Sequence, residues 1–161
     1  MRAFHQLFPF AAILLAGCAV TRTGQVGVAH TQEEAAIERR LGEIFDAAKK
    51  RDFDRLDSYH LYGPKFTKFA PDRPERQDAS ETRPREHDSL RAVDNLSVKT
   101  DGLKIDVFGN AAIATFIMDY TFRARNGDMV ARKAQTTMVF VKYAGEWKIT
   151  HEHISALPAK P

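Results

Sequence analysis

Residues 145–158 read GEWKITHEHISALP, and the alternation in this stretch decides the fold. Trp147, Ile149, His151, His153 and Ser155 fall on one side of a period-two pattern, and Lys148, Thr150, Glu152 and Ile154 on the other. That is an amphipathic strand, with both imidazoles on its apolar side and Glu152 pointing away. The same period runs backwards through MVARKAQTTMVFVKY (129–143), AAIATFIMDYTFRAR (111–125), LKIDVFG (103–109) and LSVKT (96–100). Asp101-Gly102, Gly109-Asn110, Asn126-Gly127 and Ala144-Gly145 separate the runs, so residues 96–156 are expected to form an antiparallel meander.

Upstream of the meander the period is helical. TQEE (31–34) fits a capping box with Thr31 as N-cap, and Ile37, Leu41, Ile44, Phe45 and Ala48 make the apolar stripe of the helix that follows. A second, short helix starts at Asp52 with Phe53 and Leu56 facing inward, and the two form a hairpin. Residues 62–95 are rich in proline and charge and read as a connector or a lid over a pocket, anchored by Phe66 and Phe69. PREHDSLRAV (84–93) supplies one or two helical turns there. Helices first and strands afterwards give an α+β fold, with the sheet curved around the helices.

Register turns this outline into a candidate site. With Asn126-Gly127 as a two-residue turn, Ile117 stands opposite Thr136 and Thr115 opposite Met138. With Ala144-Gly145 as another, Met138 faces His151 and Thr136 faces His153. One sheet face then carries Ile113, Thr115, Ile117, Asp119, Thr136, Met138, Phe140, Trp147, Ile149, His151, His153 and Ser155. A few polar groups converging on an apolar concavity is what a small-molecule pocket needs. Thr115, Asp119, Thr136, Met138, Trp147, His151 and His153 are therefore the expected ligand-binding set. Tyr59 and Tyr62 join it from the end of the second helix. Asp119 and His153 are the candidate catalytic pair, since a carboxylate raised by an apolar pocket can exchange a proton with an imidazole. The opposite face, half apolar and half charged, offers a homodimer surface.

Other chemistries lack their residues. A His-Glu-x-x-His zinc motif would need a histidine where Ser155 stands, and the His151, His153 and Asp119 set has no third imidazole or cysteine beside it. The expectation is no metal and no cofactor, for no nucleophile elbow, phosphate-cradling loop or dinucleotide fingerprint occurs. Charges are interspersed, 24 basic against 21 acidic residues for a net +3, which leaves no nucleic-acid footprint. Two function classes stay open: a domain binding a small, partly apolar ligand or a protein partner, and a cofactor-independent isomerase, dehydratase or hydrolase.

The helix hairpin, irregular middle, long meander and closing Trp147-x-Ile149-x-His151-x-His153 resemble the nuclear transport factor 2-like superfamily. Within it, they resemble the SnoaL-like branch and the association domain of calcium/calmodulin-dependent kinase, whose final serine would fall one residue after Ser155. The resemblance spans about residues 31–158. It implies a conical fold with a pocket between sheet and helices, frequent dimers, and activities ranging from none to isomerase, dehydratase and cyclase.

The N-terminus addresses the protein to a membrane. Residues 1–17 carry Arg2, an apolar run from Leu7 to Leu15 and small residues after it, the form of a signal peptide. Leu15-Ala16-Gly17-Cys18 resembles the bacterial lipobox, and Cys18 is the chain's single cysteine, so an internal disulfide is ruled out and lipidation gives the thiol a purpose. The expected mature protein starts at lipidated Cys18, with residues 18–30 as a tether and 31–158 as the domain. It would be a cell-envelope lipoprotein, held in the outer membrane and facing the periplasm, because Ala19 and not Asp follows the cysteine.

Overall fold

The computed structural model of the chain describes residues 30–158; the signal peptide, Cys18 and most of the tether lie outside them. Helix α1 covers Thr31–Lys50, α2 Phe53–Ser58 and α3 Ala79–Arg91. The strands are β1 Thr67–Ala70, β2 Arg73–Gln77, β3 Asp94–Phe108, β4 Ala111–Arg123, β5 Met129–Tyr143 and β6 Glu146–Ala156. They form one six-stranded sheet in the order β2-β1-β6-β5-β4-β3, curved but not closed. The α+β expectation holds.

Helix α1 forms on the expected stripe: Ile37, Leu41 and Ile44 are buried, and Phe45 meets Phe116 edge-on at 6.2 Å. Its cap sits one residue earlier than the sequence suggests. Glu34 accepts from the His30 backbone N–H at 3.3 Å, while no side chain caps the helix from the N-cap position. Asp52 caps α2 as expected, accepting from the Arg55 backbone N–H. The core joins the helix stripe to Leu56, Phe66, Phe116, Met138, Phe140, Trp147 and Ile149.

Three features depart from the sequence reading. The segment 62–95 contains β1, β2 and a 13-residue α3, started by a full capping box between Asp78 and Glu81. Asp101-Gly102 is no turn between strands but an irregularity inside the 15-residue β3, with Gly102 at φ 63°. The last departure is in the register, and it moves the site.

Asn126-Gly127 does not close a two-residue hairpin. Ala124 N–H bonds to the Asp128 carbonyl and Gly127 N–H to the Ala124 carbonyl, so the ladder starts at Arg123 and Met129 and five residues lie between. This odd loop slips β4 by one against β5, bringing Ala112, Ala114 and Phe116 inward in place of Ile113, Thr115, Ile117 and Asp119. Ala144-Gly145 is the expected two-residue turn, both residues at positive φ, 50° and 83°. Six residues later the β5–β6 pairing shifts: Phe140 pairs with Ile149 but Val139 with His151, leaving Thr150 as a bulge. At that point β6 changes its other neighbour. Ile149 exchanges hydrogen bonds with Tyr59 and Leu61, whereas His151 pairs with Thr67 at the start of parallel β1. The bulge reconciles the two pairings and turns the rest of β6 over.

Candidate functional site

Trp147 and Ile149 face the core before the bulge, and Glu152 faces it afterwards, 3 % exposed. The sequence expectation for the HEH triplet is thereby reversed. His151 and His153 lie on the outer face, where His151 Nδ1 is 2.7 Å from the Thr67 hydroxyl and His153 Nε2 is 3.0 Å from the Ser155 hydroxyl. Burial and the neighbouring His153 hold the His151 imidazole below its ordinary value. Asp119 is also outside, in an ion pair with Lys133 at 2.7 Å. His153 pairs with Thr137, four residues farther along β5 than Lys133, so Asp119 and His153 are not juxtaposed as a catalytic pair. Thr115 is exposed beside them. With Ile117, Gln135, Thr137, His153 and Ser155 it lines a shallow outer depression of about 450 Å³.

The inner face keeps the other candidates. Met138 and Thr136 are buried, and Met138 is the cross-strand partner of Glu152. Trp147 is core wall, its indole N–H donating to Glu33 at 2.7 Å. Tyr59 is also core: its hydroxyl accepts from Arg55 at 2.6 Å and the Arg40 guanidinium covers its ring at 4.6 Å. Tyr62 has a different setting. It stacks on His60 at 4.8 Å with the rings 4° from parallel, and its hydroxyl donates to Glu86 at 3.3 Å.

Around Tyr62 lies a cluster of charge that periodicity does not single out. Lys68 enters from β1, directly opposite Glu152 in the parallel pairing, and its ammonium stands 2.7 Å from Glu152 Oε2 and 3.2 Å from Glu86 Oε1. His60, in the turn after α2, points Nε2 at Glu152 Oε2 from 3.8 Å. Its other ring nitrogen is 3.0 Å from the Leu56 carbonyl, which holds the proton on Nδ1 and leaves Nε2 for the cluster. His60, Lys68 and Glu152 are all buried.

Electrostatics in the cluster favour the charged forms despite burial. Desolvation pushes the Glu152 carboxyl up, but the Lys68 and His60 cations outweigh it and hold Glu152 far below the usual carboxylate range. Desolvation likewise pushes Lys68 and His60 down, and Glu152 and Glu86 carry both above their ordinary values. Burial, with Glu86 next, pushes the Tyr62 phenol well up, so it stays a donor. His60, Glu86 and Glu152 bring donor atoms within 4.8 Å of one another, a spacing that could hold a metal ion. Lys68 already supplies the cation there, and an ion would have to displace it.

A cavity of about 200 Å³ borders the cluster between α3 and the β1–β2 hairpin, lined in part by Lys68, Gln77, Thr82 and Glu86. The arrangement can grip a small polar group beside an apolar body, and its buried imidazole–carboxylate pair can move a proton. The β1–β6 pairing and the α3 capping box that build it were readable only in part. Asp78-x-x-Glu81 is a capping signal inside an otherwise irregular, proline- and charge-rich segment.

Comparisons with known proteins agree with this architecture. A nuclear transport factor 2-like superfamily protein from Salmonella enterica serovar Typhimurium superposes with a TM-score of 0.72 at 22% identity, over 82% of this chain and 95% of that one. A nuclear transport factor 2-like family protein from Streptomyces avermitilis also gives 0.72, at 16% identity over 80% and 98% of the two chains. The association domain of C. elegans CaMKII gives 0.65 at 21% identity, over 77% and 95%. No curated protein matches the chain. The SnoaL-like domain model matches residues 37–160. That match covers most of the sequence and agrees with the helix-packed, curved sheet; the chain belongs to the SnoaL-like family, with a nuclear transport factor 2-like fold.

Proposed function

We propose that the protein is a lipid-anchored domain of the bacterial envelope, facing the periplasm from the outer membrane, that binds a small, partly apolar molecule at the Lys68–Glu86–Glu152–His60 cluster. One observation carries this reading: in a desolvated set of four ionisable groups, Lys68 and Glu86 line a cavity that also holds the unpaired Gln77 and Thr82. A buried ion-pair network is a weak source of stability compared with apolar residues of the same volume, so its presence here favours a binding role. The lipobox-like Leu15–Cys18 supports the anchor. The outer sheet face, with Ile113 at 39 % exposure among intermediate valines, is the surface proposed for a second copy.

A second reading rests on His60. With Nδ1 held by Leu56 and Nε2 facing Glu152, it has the geometry of a general acid–base, the role that the sequence suggests for Asp119 and His153. This is the isomerase, dehydratase or hydrolase alternative.

Native mass spectrometry of protein purified gently from the envelope tests the binding site. A retained small molecule is expected, lost in Lys68→Met and Glu152→Gln but kept in Asp119→Asn and His153→Ala. Retention by the first two variants would refute the assignment. A bell-shaped pH–rate profile abolished by His60→Gln would favour the enzyme.

A further inference from the structure

Next to the ion pairs, the cavity between α3 and the β1–β2 hairpin has its own chemistry. Its floor is Lys68 and Gln77, which are cross-strand partners. Thr82 and Glu86 stand above them, four residues apart on one face of α3. Ala70 and Leu90 supply apolar wall, and the Arg85–Asp72 ion pair, 2.7 Å long and well exposed, marks the mouth. At about 200 Å³ the slot has room for six or seven water-sized volumes of about 30 Å³ each. A six-membered ring with one polar substituent fits that space.

Two side chains in this slot lack partners. Gln77 is 3 % exposed and Thr82 1 %, yet neither Gln77 Nε2 nor Thr82 Oγ1 makes a hydrogen bond. A helical threonine can bond the carbonyl four residues back, and Thr82 does not. Leucine and valine would fill these positions without burying unpaired groups, so the fold carries polarity here that its own stability does not call for.

The unused groups can all donate. Glu86 already accepts from Lys68 on one oxygen and from Tyr62 on the other, and Glu152 is paired with Lys68. Among the buried groups of the slot, the donors that remain are the two Gln77 amide protons, the Thr82 hydroxyl and the third ammonium proton of Lys68. Charge gives the second condition. With its imidazole protonated, as the raised His60 value favours, His60 joins Lys68 in balancing Glu86 and Glu152, and Arg85 balances Asp72, so a charged guest would enter a desolvated slot with no counter-charge left for it. We infer that the slot binds the carbonyl oxygen of a small neutral molecule, with Gln77 and Thr82 donating to that oxygen and the guest's apolar body lying on Ala70 and Leu90. This rests on the cluster being a ligand site and names the chemistry of its guest.

Nitrogen-15 labelled protein titrated with cyclohexanone, cyclohexanecarboxylate and cyclohexylammonium tests it, with the Gln77 side-chain amide as reporter and Gln77→Leu to assign its resonances. Cyclohexanone should shift those resonances saturably, and each charged analogue should bind at least tenfold more weakly. Thr82→Val, read at the Gln77 side-chain amide, and Gln77→Leu, read at the backbone amides of residues 77 and 82, should each weaken cyclohexanone about five- to tenfold, the loss of one hydrogen bond. Their melting temperatures should hold or rise, because each removes an unpaired buried group; a merely structural role predicts the reverse. Equal or tighter binding of either ion would overturn the inference, as would unchanged ketone affinity in both variants. If the protein retains a native ligand that depends on Lys68 and Glu152 while none of the three probes moves Gln77, the carbonyl assignment fails and the binding site stands. If there is neither retained ligand nor any response to the probes, both fail.

Discussion

Replacing Lys68 with methionine keeps most of the side chain's volume and removes one charge from the cluster. Glu86 and Glu152, which Lys68 holds at 3.2 and 2.7 Å, are then left as two carboxylates in a desolvated site with only His60 to offset them. Breaking a buried pair by removing one partner costs about 3–5 kcal/mol, most of it the stranded charge. Lys68 and Glu152 are 10 % and 4 % exposed at the side chain, so solvent does little to soften that figure. Glu152→Gln alone strands Lys68 with Glu86 and should cost somewhat less. In the double variant the stranded charge is largely gone, and the cycle should return a coupling energy of about 2 kcal/mol. Urea unfolding at pH 6 with equal m-values for all four proteins measures it. A Lys68→Met loss below about 1 kcal/mol, or additive single losses, would mean that the cluster is hydrated and not desolvated, and the site assignment would lose its basis.

Stability should depend on pH from both sides of the cluster. Glu152, held low in the fold, stabilises above the ordinary glutamate value of about 4.3 and loses that contribution as pH falls further. His60, held high, stabilises fully below about 6.5 and loses its part as pH rises through its folded value. Urea midpoints should therefore be highest between about pH 4.5 and 6.5, and His60→Gln should flatten the alkaline limb; a limb unchanged by that substitution would contradict the pairing. Asp119→Asn breaks a solvent-exposed pair with Lys133 and should leave the urea midpoint essentially unchanged. Cys18→Ala should abolish partitioning into detergent, and an anchored, cleaved variant would remove the lipoprotein proposal. Helix α3 buries only Thr82 and is tied by Arg83 and His87 to Asp57 and by Arg85 to Asp72, so its amides should exchange faster in high salt while those of β4 and β5 do not.

Apolar periodicity carried most of the fold. The α1 stripe, the alternation of β5 and the Ala144-Gly145 turn are each strong local signals, and each appears where expected. Signals failed where partners are distant. Strand β1 is four residues long and exists because it lies parallel to β6, a pairing across more than eighty residues that no local pattern encodes. Helix α3 has a clear cap but almost no apolar stripe: Thr82 is buried, Ala79 and Leu90 pack partly against the core, and ion pairs supply the rest of its attachment.

The candidate site shows how sharply a single residue matters in a sheet. Asn126-Gly127 is a strong two-residue turn signal, yet the side chains of Asn126 and Asp128 bond each other and widen the loop to five residues. That odd count moved every β4 side chain to the other face. Thr150 then did the same to half of β6, so Trp147 and Ile149 stayed inward while the histidines and Glu152 exchanged sides. Alternation alone favoured the opposite answer, since it assigns a lone glutamate between two histidines to solvent. What places Glu152 inside is Lys68, directly across the parallel ladder, and a buried carboxylate is tolerable only with such a cation. The proposed site thus lies where hydrophobic pattern and charge pairing disagree, and in the second half of β6 the strand faces the way the Lys68–Glu152 pair requires.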